Sequence, residues 1–251
     1  MIYVRGDTHG EFAGVAAFCA WNETTPEDIL IILGDAGING AEKKRDEQVK
    51  RFLADLPVTL FCVHGNHDRR PETVSSYREI RWKGGICFRE ERYPNLLFAR
   101  DGEIFDLEGS RSLVIGGAAS SDKYYRLARG LPWWEDEKPS KEIKRRTEAN
   151  LSAHGWTVDQ VFSHTLPLQY IPSVRLEEYR KTGNPDLSAE RWLGKLEERM
   201  QYKKWYGGHW HMDAQINEKV EVLYRNYRVL QAECAGNHTE SNPECKYEGK
   251  T

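Results

Sequence analysis

No apolar run in the 251 residues approaches the roughly 20 needed to cross a bilayer, which argues against membrane insertion. Met1 leads straight into Ile2-Tyr3-Val4, with neither a basic leader nor a long apolar stretch behind it, and this argues against secretion. An excess of one charge is also lacking. Thirty-six Lys and Arg stand against 39 Asp and Glu, a formal charge of -3, so there is no global basic field to draw the protein onto nucleic acid. The five cysteines (Cys19, Cys62, Cys87, Cys234, Cys245) form no CxxC pair, which removes the usual structural zinc site and the disulfide framework. Reduced thiols in a cytoplasmic protein are the expectation. Internal repeats, low-complexity blocks and a recognisable linker are missing as well. One domain over residues 1–235, with insertions at about 118–144 and 165–204 and a polar tail at 236–251, fits the chain best.

What is present is a recurring arrangement of short β-type runs that end in glycine-containing polar turns. Ile2 to Arg5 runs into Gly6-Asp7-Thr8-His9-Gly10, Ile29 to Leu33 into Gly34-Asp35, and Val58 to Val63 into His64-Gly65-Asn66-His67-Asp68. Between them, Glu11 to Trp21 and Glu42 to Leu56 carry apolar residues at helical spacing. Strand, helix, strand, helix, strand is the pattern of a parallel sheet. Beyond Asp68 the reading is less regular, with short strands expected at Leu96 to Ala99, Glu103 to Leu107 and Leu113 to Ile115. A helix capped by Ser140 follows. Val158 to Phe162 runs into Ser163-His164, a helix is expected from Ser188 to Tyr202, and Gly207-Gly208-His209-Trp210-His211 precedes two last strands near Val220 to Tyr224 and Tyr227 to Leu230.

Taken singly, each polar residue in these turns has an ordinary explanation, since Gly-Asp pairs make turns and a lone histidine is usually packing. Together they do not. Asp7, His9, Asp35, Asn66, His67, His164, His209 and His211 all fall at strand ends, and residues just past the carboxyl ends of neighbouring strands converge on one rim. Two carboxylates, four imidazoles and an amide oxygen suit Mn²⁺, Fe, Zn²⁺ or Ni²⁺; Ca²⁺ would want more oxygen.

In the order Asp-x-His, Gly-Asp, Gly-Asn-His-Asp, His and Gly-His-x-His, from Asp7 to His211, the sequence resembles the calcineurin-like metallophosphoesterases. The resemblance implies an α/β fold, a four-layer α/β/β/α sandwich of two mixed sheets flanked by helices. It also implies a dinuclear centre, with Asp7, His9 and His211 on one metal, Asn66, His164 and His209 on the second, and Asp35 bridging both. Two divalent ions against two carboxylates leave about +2, which an attacking hydroxide and an anionic substrate can meet. A phosphate ester is the natural match.

The leaving oxygen needs a proton, and His67, beside Asn66, is the candidate general acid. In the protein serine/threonine phosphatase branch, an aspartate three positions after the bridging one orients this histidine and an arginine follows it. Here those positions are Ile38 and Asn39, which points away from that branch. Asp68 is the expected substitute for orienting His67, and Arg69 or Arg70 for gripping phosphate. In the first insertion, Tyr124, Tyr125, Trp133 and Trp134 could stack on a base while Arg126 and Arg129 hold phosphate; alternatively, the aromatics are the insertion's own small core. The expected activity is hydrolysis of a phosphomonoester or phosphodiester, of a nucleotide or another small phosphorylated molecule. The rival readings are a nuclease of the same fold and a catalytically silent, metal-bound interaction scaffold.

Overall fold

The computed structural model describes residues 1–183 and 185–230; the expected polar tail, with Cys234 and Cys245, lies outside the described residues. Two mixed sheets stack face to face. The first has seven strands in the order β13 (Arg228–Leu230), β1 (Ile2–Arg5), β2 (Ile29–Ile32), β3 (Thr59–Cys62), β6 (Leu96–Ala99), β5 (Gly85–Glu90), β4 (Tyr77–Trp82). Its four middle strands, β1, β2, β3 and β6, run parallel, and antiparallel strands close both edges. The second has six in the order β11 (Ala214–Gln215), β12 (Val220–Val222), β10 (Lys204–Gly207), β9 (Gln160–Ser163), β8 (Ser110–Ile115), β7 (Ile104–Leu107), again with a parallel centre.

The layering follows from side-chain alternation within strands that are buried on both faces, which is why they read as unbroken apolar runs. In and beside β2, Ile29, Ile31 and Leu33 point to the other sheet and meet Val114, Phe162 and Tyr206 across the gap. Leu30 and Ile32 point the opposite way, toward Val15 and Cys19 of α1 (Ala13–Trp21) and Leu53 of α2 (Lys43–Ala54). On the far face of the second sheet, Leu113, Ile115, Val161 and Trp205 pack against Leu151 of α4 (Lys141–Ala153) and Trp192, Leu193 and Leu196 of α6 (Ser188–Glu197). The four-layer α/β/β/α sandwich is therefore observed. The three described cysteines, Cys19, Cys62 and Cys87, are free and buried, and Ser140 Oγ accepts the Ile143 N–H as the expected cap.

Three local differences from the sequence reading have physical causes. Strands β4 and β5 form a six-pair hairpin where no regular element was expected. Its edge strand carries Arg78, Glu79 and Arg81, which hide the apolar alternation, and its turn is set by the positive φ of Lys83 and Gly84. The helix expected to reach Tyr202 stops at Glu197, because Gln201 is drawn into backbone bonds with Trp156 and Val158. Finally, the two insertions carry short helices of their own, α3 (Lys123–Arg129) after β8 and α5 (Ser173–Arg180) after β9. Each leaves the sandwich at the carboxyl end of a strand, the end at which the polar turns gather.

Candidate active site

Strands β1, β2 and β3 are neighbours in one sheet, and β9 and β10 are neighbours in the other. Their five carboxyl-end turns meet at one rim and are laced together by hydrogen bonds. Within the first sheet, the Thr8 and His9 N–H groups donate to Asp35 O at 3.2 and 2.8 Å, and the His67 N–H donates to Asp35 Oδ1 at 2.8 Å. Between sheets, the His209 N–H donates to Asp7 Oδ1 at 2.9 Å and His164 Nδ1 bonds Leu33 O at 2.7 Å. Two glycines make this closeness possible. A Cβ on Gly34 would land on the His164 ring, and one on Gly65 would land on the backbone and carboxylate of Asp35.

The seven expected ligands come together. Asp7, His9 and His211 form one tight group of donor atoms, and Asp7, Asp35 and His164 form another. His9 Nε2 faces His211 Nε2 at 2.9 Å, and Asp7 Oδ2, buried and without a hydrogen bond, lies 3.2 Å from His211 Nε2 and 3.7 Å from His9 Nε2. Deeper in, His164 Nε2 faces Asn66 Oδ1 at 2.8 Å. Because His164 Nδ1 must donate to the Leu33 carbonyl, a neutral ring has a lone pair on Nε2. With a neutral ring these two atoms are facing acceptors that a cation would join; with a charged ring Nε2–H donates to the Asn66 oxygen. His209 packs beside His164, ring centres 5.0 Å apart.

Electrostatics agree. Burial pushes the Asp7 carboxyl up, but contact with His211, the charge of His164 and the His209 N–H together hold it down at about 2. Asp35 goes the other way: burial first, then the Asp7 charge, raise it well above the carboxylate range. Burial and the charge of His164 hold His209 well below its ordinary value. Two buried carboxylates with the imidazoles of buried His164, half-buried His9 and His209, and exposed His211 are a donor set for divalent cations, and the orphaned Asp7 oxygen and the placing of His164 Nε2 against Asn66 Oδ1 fit them.

His67 lines the cleft with its Nε2 3.9 Å from Asp35 Oδ2. Burial, followed by the charge of Arg126, pushes its pKa down to about 4. The residue expected to orient it does something else. Asp68 is fully buried, and its carboxylate accepts the Ala36 and Gly37 N–H groups at 2.9 and 3.0 Å, holding the turn that carries Asp35. Ile38 is packed into the apolar layer beneath, and His64 is buried with Nε2 on Asp68 O.

The two arginines expected to grip phosphate are committed elsewhere. Arg69 folds back onto Thr73, and Arg70 is buried in an ion pair with Asp101 and on the Asp136 and Lys138 carbonyls. Their sequence position beside His67 is no guide to direction, because the chain turns into a short 3₁₀ segment at Pro71. Arg126 is likewise engaged, by the Asp122 carboxylate and the Pro132 carbonyl, but its charge is felt at His9, His67 and Asp35. Tyr124 and Tyr125 lie exposed on α3, which contradicts their being the insertion's core, and neither is among the residues that line the cleft.

The sequence reading missed the opposite wall. Arg175, Glu178, Tyr179 and Thr182, on and just after α5, line a cleft of about 240 Å³ with Ser121, Asn66, His67 and His209. Arg175 spans from Glu178 to the His211 carbonyl, and its Nε is buried without a partner. Only its membership of the second insertion pointed there.

This geometry agrees with the sequence comparison: the chain belongs to the calcineurin-like phosphoesterase family, whose description matches residues 1–213. Comparison with curated proteins gives no match. Among solved structures the chain is similar to TT1561 of Thermus thermophilus, with 12% identity, 89% of each chain covered and a TM-score of 0.47. Among the described residues no helix is long and apolar enough to cross a membrane.

Proposed function

We propose that the protein is a metal-dependent hydrolase of phosphomonoesters or phosphodiesters, acting on a nucleotide or another small phosphorylated molecule. The observation that carries this reading is the meeting of His164 Nε2 with Asn66 Oδ1 and of His9 Nε2 with His211 Nε2 around the two buried carboxylates of Asp7 and Asp35. Two divalent ions, Mn²⁺ by preference and Fe, Zn²⁺ or Ni²⁺ as alternatives, supply Lewis acidity toward the phosphoryl group and make water acidic enough to attack it at neutral pH.

The chain's own residues supply the rest. Asp7, His9 and His211 would hold one ion, Asn66, His164 and His209 the other, and Asp35 would serve both. His67 donates its Nε2–H toward the leaving oxygen. Burial and Arg126 keep that imidazole neutral in the free protein, and a phosphate anion in the cleft acts against both, raising its proton affinity as substrate binds. Arg175 stands in the cleft wall beside Glu178, and Arg126 of the first insertion adds positive charge that is felt at His67. The small cleft volume and the formal charge of -3 support a small substrate over a nucleic acid.

The test is hydrolysis of a matched aryl phosphomonoester and aryl phosphodiester with each of the four metals, with a chelator control. Turnover of one ester, stopped by chelator and restored by metal, is expected, and His67→Ala should lower kcat by about 100-fold or more while metal binding is retained. No turnover of either ester with any of the metals would overturn the reading.

A further inference from the structure

Asn66 is a ligand only if its amide presents oxygen, not nitrogen, to the site, and its neighbours from the first insertion decide which. Its Nδ2 lies 3.0 Å from Ser120 Oγ; Ser120 Oγ lies 2.5 Å from Glu137 Oε2; and the Trp133 indole N–H donates to the same carboxylate oxygen at 2.8 Å. Asn66, Ser120 and Glu137 are all buried, with 1%, 7% and 2% exposure, so water does not compete for these bonds. An ionised carboxylate can only accept. Glu137 therefore takes the hydroxyl hydrogen of Ser120, the hydroxyl is left with lone pairs for Asn66, and the amide must turn its NH₂ toward Ser120. Its oxygen is thereby forced toward His164 Nε2, as observed.

We infer that Glu137, acting through Ser120, is a positioning residue for the metal centre: the order of donors along the Glu137–Ser120–Asn66 chain locks the Asn66 amide in its metal-binding orientation. This rests on the dinuclear reading given above. It also gives the first insertion a second task. The segment that contributes Ser121 to the cleft wall is joined to Asn66 by buried hydrogen bonds, so ordering the insertion and completing the second metal position are coupled. Such outer partners characteristically change metal affinity by about 10- to 100-fold.

Glu137→Met tests this, because it keeps the length of the side chain while removing the oxygen that takes the Ser120 hydrogen. The hydroxyl can then donate toward Asn66, and the amide is free to flip so that its NH₂ faces His164. Ser120→Ala removes the acceptor altogether. The experiment is calorimetric titration of the metal-stripped full chain with Mn²⁺, for wild type and both variants, with thermal melting of the stripped proteins to establish folding. Wild type should take up two ions. Each variant should bind one ion as tightly as wild type and the other about 10- to 100-fold more weakly, with excess Mn²⁺ restoring occupancy. Two ions bound at wild-type affinity by either folded variant would overturn the inference, and so would equal weakening of both ions, which would mean general disruption of the site. Wild type binding fewer than two ions would instead be a failure of the dinuclear reading, so the two failures are distinguishable.

Discussion

His9, Asp35, His209 and His211 have φ values of 48°, 46°, 68° and 46°, in the left-handed region that side chains other than glycine and asparagine seldom occupy. Each such residue costs about 1 to 3 kcal/mol, and hydrogen bonds hold them: His9 N–H on Asp35 O, the Asp35 carboxylate on the His67 N–H, His209 N–H on Asp7, and Arg175 on the His211 carbonyl. The same scale separates arginines that serve the site from arginines that serve the fold. Arg70→Ala should cost about 3 to 5 kcal/mol of stability, because it leaves the buried Asp101 carboxylate without its cation, whereas Arg69→Ala should cost no more than about 0.5 kcal/mol. Denaturant unfolding of the two variants checks this, and equal midpoints would contradict it. For Arg126→Ala the expectation is different: normal stability with kcat/KM for the better aryl ester lowered about tenfold, chiefly through KM. An unchanged KM would remove Arg126 from substrate binding.

At the scale of elements, α6 carries a buried acid that titrates. Glu190 is 1% exposed; burial pushes it up to about 7, against the opposing pull of its own backbone N–H and the Thr165 hydroxyl. Thr165 follows the ligand His164 and also accepts the Trp210 indole N–H at 3.0 Å, so α6 braces two of the turns that form the site. The sign of the pH effect follows directly. Between an ordinary value of 4.5 and about 7, the unfolded chain has released the Glu190 proton while the folded chain keeps it, so stability falls as pH rises through that window. The loss is complete above pH 7 and amounts to about 3 kcal/mol. Glu190→Gln should flatten this dependence in urea melts at pH 5 and pH 7.5; a wild-type slope retained by the variant would contradict the assignment.

Across the whole molecule, what could be read in the sequence was whatever depends on local order. The parallel strands are legible because burial on both faces makes them unbroken apolar runs, as in Ile29–Ile32, and the meeting of the candidate ligands because each follows such a run directly. The charged edge strand β4 was illegible for the opposite reason: half of it faces solvent. Direction of side chains was not legible either. Asp68 and Arg70 sit one and three residues from His67, yet one turns inward to the Asp35 loop and the other to Asp101. Glu137 and Arg175 reach the site from 71 and 36 residues away from the groups they serve, through insertions whose folding no local pattern reveals.

In the proposed mechanism Asp35 is the carboxylate that serves both metal positions, and Asp35→Asn addresses it with the smallest possible change of shape. At saturating Mn²⁺, turnover of the ester that wild type prefers should fall by more than about 100-fold in the variant, with its fold intact by circular dichroism. Hydrolysis by Asp35→Asn at a rate close to wild type would contradict a dinuclear phosphoesterase at this rim.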